Sequence, residues 1–151
     1  MPERIRPPLI LKPMNKVFIA LLRLGVPISR REPAVVLTVP GRKTGKPRST
    51  PVTPMDVDGE RYVVNGYPGA DWVHNVRAAE EATLTKGRHS ERVRMVEVPP
   101  EQARPVLRAF PGFAPTGVDI MKRSGVLTEG TPDELEALAG RLPVFRVDRI
   151  T

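Results

Sequence analysis

Six short runs of apolar and β-branched residues, each bounded by turn residues, constrain this chain more than any other feature. They occupy 34–39, 49–57, 60–66, 82–87, 91–98 and 143–148. Runs of this length with period-two alternation predict strands. Val57-Asp58-Gly59-Glu60 predicts a tight hairpin, because Asp-Gly accepts the positive φ that such a turn needs. Lys86-Gly87-Arg88-His89-Ser90 predicts another. Short, mostly antiparallel strands at this spacing favour a small barrel. Helices are expected around it: a short one from Asp71, with Asp71 as N-cap, and one over 99–110 that Pro105 kinks or shortens. A third starts at the capping box Thr131-Pro132-Asp133-Glu134. Residues 111–130 are rich in Gly and Pro and give no clear element.

Upstream of the strands, residues 1–8 hold three prolines. Leu11, Met14, Val17, Phe18, Leu21, Leu22 and Leu24 then recur at helical spacing, with Lys12, Lys16 and Arg23 opposite. Gly25 and Pro27 end the pattern. The chain thus divides into an arm with an amphipathic helix (1–33) and a barrel domain (34–151). The helix at 9–24 either closes the core or rests peripherally on an anionic membrane.

Charge narrows the function. Residues 1–50 carry 11 Lys and Arg against 2 acids, whereas residues 51–151 carry 13 against 15. The basicity therefore belongs to the N-terminal third and favours an anionic partner met by one region. Its focus is Gly41-Arg42-Lys43-Thr44-Gly45-Lys46-Pro47-Arg48, four cations in a turn between two strands. Side-chain charges and backbone N–H groups there can grip phosphate or carboxylate. A strand follows, so the turn is not a helix-opening phosphate loop.

Other chemistries are poorly supplied. The chain has no cysteine and two histidines, His74 and His89, neither with carboxylates at ligand spacing, so no metal site is expected. No serine elbow or dinucleotide fingerprint is present. Aromatics are sparse and none is interleaved with the turn, which argues against nucleic acid. The absence of cysteine, of a roughly 20-residue apolar span and of a leader layout fits a cytoplasmic protein, unless the 9–24 helix adds membrane association. A cofactor site is the reading that remains. The turn would hold an anionic tail; Gly66-Tyr67-Pro68-Gly69-Ala70 and the start of the Asp71 helix would approach a flat ring. Trp72 would pack on the ring or tail, or in the core. Asn75 would contact the cofactor, or tie helix to loop.

Val39-Pro40 through Pro51 resembles the Gly-Arg-Lys-Thr/Ser-Gly-x-Pro-Arg segment of the deazaflavin-dependent nitroreductase and quinone reductase family of actinobacteria. Asp71-Trp72-Val73-His74-Asn75-Val76-Arg77-Ala78-Ala79 is similar to that family's Trp-x-x-Asn helix, and Pro143–Val147 to its last strand. The resemblance implies a mainly β fold, a split β-barrel of the flavin-reductase or FMN-binding type. It would have about six antiparallel strands, an N-terminal helix and C-terminal helices. It also implies coenzyme F420, with Arg42, Lys43, Thr44, Gly45, Lys46 and Arg48 on the phosphate and tail. Thr50, Pro51 and Val52 would lie along the ring, with Gly66, Tyr67, Pro68, Gly69 and Ala70 opposite. The implied reaction is hydride transfer to a quinone, nitro compound or other lipophilic acceptor.

The family lines its acceptor pocket with tyrosines from later segments, but the two tyrosines here are Tyr62 and Tyr67. Phe110, Phe113, Met121 and Leu127 would make a more apolar pocket, and proton delivery would fall to Tyr67, Ser49 or water. FMN on the same fold is the alternative cofactor, and a non-catalytic lipid- or cofactor-binding barrel the alternative function. The related barrels imply a monomer or a homodimer.

Overall fold

The chain runs from one edge of its sheet to the other within two residues, and this shapes the whole molecule. The structure, a computed structural model, describes residues 34–65 and 70–150. The 1–33 arm with its expected 9–24 helix, residues Gly66, Tyr67, Pro68 and Gly69, and Thr151 lie outside the described residues. Among the described residues seven strands form one antiparallel sheet: β1 (Val35–Pro40), β2 (Pro47–Val52), β3 (Met55–Val57), β4 (Glu60–Val64), β5 (Glu81–Lys86), β6 (His89–Glu97) and β7 (Val144–Arg149). Their order is β2-β1-β5-β6-β7-β4-β3. β2 and β3 sit at opposite ends of this order, yet only Thr53 and Pro54 separate them. Three Cα steps of about 3.8 Å bring the two edges within about 11 Å. The sheet therefore curls into a barrel left open at a seam, the split barrel expected from the resemblance.

The expected strand 49–57 is thus two strands. Pro54 has no N–H for a ladder and marks the bend where the chain passes between edges. The other five expected strands are present. Asp58 (φ 52°) and Gly59 (φ 84°) both take the left-handed conformation in the β3–β4 turn, as the two central residues of a primed hairpin turn do.

Alternation divides the sheet's faces. Leu37, Val39, Val63, Leu84, Val93, Phe145 and Val147 point into the barrel and bury together. Helix α1 (Asp71–Ala79) plugs one end of that core with Val73 and Val76. On the outer face of β3, β4 and β7, Met55 and Val144 meet helices α2 (Pro100–Phe113), α3 (Pro115–Arg123) and α4 (Pro132–Ala137). Leu107 and Leu135 are fully buried in that second core. Each such side chain contributes about 1.5–3 kcal/mol.

The helices differ from expectation in instructive ways. Ala70, not Asp71, is the N-cap of α1, and its side chain makes no capping bond; the Asp71 carboxylate turns instead toward Arg42, 3.5 Å away. α2 continues through Pro105 to Phe113. The carbonyl that Pro105 leaves without a donor belongs to exposed Glu101 in the first turn, where water can satisfy it. The 111–130 stretch, which gave no clear element, contains α3. Thr131 caps α4 by accepting from the Glu134 N–H (3.2 Å). The Glu134 carboxylate does not complete the box. It accepts from the N–H groups of Thr128, Glu129 and Gly130 at 2.7–2.9 Å, and these bonds hold it below the usual carboxylate range.

Candidate functional site

The β1–β2 turn is closed mostly by its own backbone. Gly41 N–H donates to the Lys46 carbonyl and Gly45 N–H to the Gly41 carbonyl, both at 2.8 Å. Lys46 N–H reaches Thr44 Oγ1 at 3.3 Å. Gly45 makes the fold-back possible with φ 74°. These bonds take up the N–H groups of Gly41, Gly45 and Lys46 within the turn. The N–H groups of Lys43 and Thr44, at the tip, have no hydrogen-bond partner among the described residues.

A second anchor comes from α1. Asn75 is 5% exposed. Its Oδ1 accepts from the Arg42 backbone N–H (3.0 Å) and from Arg42 Nη1 (2.9 Å). Arg42 also lies 3.5 Å from the Asp71 carboxylate. Asn75 therefore ties helix to loop, one of the two roles its position allowed, and Arg42 is held in place. Lys43, Lys46 and Arg48 differ. All three are exposed, and their side chains have no ion-pair partner among the described residues. Three cations without an ion-pair partner among the described residues thus stand together on one internally braced turn.

The strand pleat separates residues that the sequence grouped. Arg48 pairs with Val39, Thr50 with Leu37 and Val52 with Val35, all on the barrel-interior side. Ser49 and Pro51 face the other way, and Ser49 Oγ lies 2.9 Å from Thr38 Oγ1. Thr50 and Ser49 thus cannot meet one face of a ring together. Val52 is buried in the barrel core. Trp72 stacks obliquely on Phe145, with centroids 5.7 Å apart and planes at 53°, which puts its ring against the core. Ala70 packs against the same core.

Three of the four residues expected to line an acceptor pocket pack in a core. Phe110, Met121 and Leu127 are buried side by side with Leu107 and Leu135 in the second core, while Phe113 is 40% exposed. Apolar residues on a helix read the same whether they line a pocket or fill a core. A groove of about 440 Å³ lies elsewhere, among Val98, Pro99, Ala103, Leu142 and Val144. The Arg77–Glu97 pair flanks it with two bonds of 2.7–2.8 Å, and hydrogen bonding to Arg77 holds the Glu97 carboxyl below its ordinary range. The groove adjoins Pro143, whose carbonyl accepts from the Asn65 N–H (3.0 Å) at the root of the 66–69 loop.

A split barrel with a braced cationic turn beside the start of a helix defines a class: barrels that take an anionic, flavin-like cofactor. The family model for F420H(2)-dependent quinone reductase matches residues 21–115, and the chain belongs to this family. It is therefore an F420-dependent oxidoreductase. Among solved structures, the chain is similar to the F420-H2 dependent reductase FDR-A (21% identity, 77% of this chain and 94% of that one, TM-score 0.46). It is also similar to an FAD-binding protein from Mesorhizobium loti (15%, 97% and 91%, 0.49). A third is a 5-nitroimidazole antibiotic resistance protein from Bacteroides thetaiotaomicron, given as such only by proposal (12%, 91% and 81%, 0.49). No curated protein matches the chain.

Proposed function

We propose that the chain uses reduced F420 to reduce a quinone, nitro compound or other lipophilic acceptor, with the 41–48 turn as the clamp for the cofactor's phosphate and carboxylate tail. One observation carries this reading: Lys43, Lys46 and Arg48 are clustered, exposed and unpaired on a turn that its own backbone holds rigid. Such a set fits a polyanion, and charge-assisted bonds to it are the strong ones. Asn75 supports the clamp by fixing Arg42. Thr50, on the same strand face as Arg48, would lie along the ring; Gly66–Ala70 would close over it.

When bound, the reduced deazaflavin supplies the hydride. The chain binds the tail, orients the ring and keeps water from it. A proton for the reduced acceptor would come from Tyr67 or from water. Ser49, on the opposite strand face from Thr50, would serve only a ring placed on that side. The acceptor would enter by the groove at Val98–Ala103 and Leu142–Val144, which is partly apolar and lies at the root of the 66–69 loop. Residues 1–33 would form a separate arm, and its 9–24 helix would touch membrane if the acceptor is a lipid quinone. Among the described residues no helix is long and apolar enough to cross a bilayer. Equal, negligible sedimentation with anionic liposomes of the full chain and of one starting at Ala34 would remove the membrane contact.

The decisive experiment titrates the full chain with oxidised F420, followed by the cofactor's fluorescence, with FMN in parallel. Saturable binding of the deazaflavin at micromolar concentration, with FMN much weaker, is the expected result. Equal binding of FMN would overturn the tail assignment, and binding of neither would overturn the site.

A further inference from the structure

The end of the barrel farthest from the cationic turn carries a second, unassigned cluster of charge. The inward-facing columns of β1, β4, β5, β6 and β7 are apolar from α1 to about the level of Leu84 and Val147. Beyond that level the same inward-facing positions become Arg61 on β4, Lys86 on β5, His89 and Glu91 on β6, and Arg149 on β7. Register fixes this: Leu84 lies opposite Glu91, Lys86 opposite His89, Val93 opposite Arg149 and Arg61 opposite Val147. Partners in an antiparallel ladder share a face.

Glu91 is the one carboxylate of these five. Arg61 Nη2 takes its Oε1 at 2.5 Å, and Arg149 reaches the same oxygen at 4.0 Å. The side chains of Lys86 and His89 have no partner among the described residues. The mouth therefore keeps an excess of positive charge. The mouth is an open cup of about 270 Å³ whose apolar wall is Val35, Pro54 and Leu84, with Lys86, His89, Ser90, Arg61 and the Arg61-paired Glu91 around it. An apolar wall under a cationic rim is complementary to one kind of molecule, a small anion on an apolar body, and barrel mouths are common sites for such ligands.

We propose that this mouth binds a small organic carboxylate, its apolar body against Val35, Pro54 and Leu84 and its carboxylate toward Lys86. The site is separate from the 41–48 turn, so it can fill with or without F420, and it does not depend on the reading of that turn. Octanoate is the probe, with octanol (the body without charge) and acetate (the charge without body) as controls. The full chain, labelled with nitrogen-15, is titrated while amide shifts are followed. Octanoate is expected to produce saturable shifts at Val35, Leu84, Lys86 and Glu91, and to bind at least about tenfold more tightly than octanol or acetate. Lys86→Glu, on an exposed hairpin, is expected to weaken octanoate at least about tenfold with unchanged melting temperature and unchanged F420 affinity. No shifts at these residues up to about 10 mM, octanol binding as well as octanoate, or a Lys86→Glu variant that binds octanoate normally would each overturn the proposal.

Discussion

Arg108 holds both Asp133 and Glu136, Arg77 holds Glu97 through two bonds, and Arg146 holds Asp148 in the same way. Lys43, Lys46 and Arg48 hold no carboxylate among the described residues. The two groups of cations share a chemistry but not a role. In the second half of the chain acids stand close to many of the bases, so about half of the charge there is paired within the fold. On the β1–β2 turn the acids are missing, apart from Asp71 beside Arg42, and the remaining charge is unpaired among the described residues. Neutralised cations fix the fold; unneutralised, braced cations mark where a ligand is to be sought.

The largest expected effect tests the turn. Replacing Lys43 and Arg48 together by alanine should weaken F420 by about 3 kcal/mol, the low end of about 1.5–3 kcal/mol for each charge-assisted bond. That is a loss of more than a hundredfold in Kd. The melting temperature should stay within about a degree, since exposed turn side chains pack against little. Fluorescence titration and a thermal melt measure both. A variant that melts early but binds normally would reverse the assignment of the two groups.

Asn75→Ala comes next, because it breaks the link between the two regions. It removes the acceptor for the Arg42 N–H and guanidinium from a buried site, which should cost about 2 kcal/mol of stability. It should also loosen the turn, so F420 affinity should fall although Lys43, Lys46 and Arg48 are intact. Urea denaturation and the cofactor titration separate the two effects. Unchanged stability would mean that water replaces the amide and that Asn75 holds nothing in place.

The strands were legible in the sequence because a half-buried strand writes its alternation directly into residue order; β4, β5, β6 and β7 fall within two residues of the predicted bounds. Pro54 was equally legible, but its consequence was not, since a bend between two sheet edges depends on strands far away in sequence. α3 was missed because Gly117, Pro111 and Pro115 mask a helical pattern that only packing against α2 completes. The cationic turn could be read from composition alone. What Asn75 does could not: its partner is 33 residues away. Nor could apolar residues at 110, 121 and 127 declare whether they face a cavity or one another.

Acid should act on the neutralised group. Hydrogen bonds from Arg61, Arg77 and Arg146 hold Glu91, Glu97 and Asp148 below their ordinary values. A carboxyl whose folded pKa is depressed adds stability that is fully present above its unfolded pKa and is lost as pH falls through the folded one. The melting temperature should therefore hold between about pH 8 and 5 and fall below about pH 4. A melting temperature that falls already between pH 7 and 5 would place the sensitive groups elsewhere.

The smallest effect sharpens the comparison most. Arg77→Ala removes a cation with two good hydrogen bonds, yet both partners are roughly half exposed. Water and salt screen such a pair, and exposed ion pairs contribute about 0.2–1 kcal/mol. The expected loss is about 0.5 kcal/mol of stability with no change in F420 affinity. Lys46→Ala, which removes a cation with no ion-pair partner among the described residues, should do the reverse: no loss of stability and a roughly tenfold weaker cofactor. Two single charges, both at the surface and on the same barrel end, then fail in opposite assays. If Arg77→Ala also weakens F420, the groove beside α1 belongs to the cofactor rather than to the acceptor, and the division between the two groups of cations must be redrawn at α1.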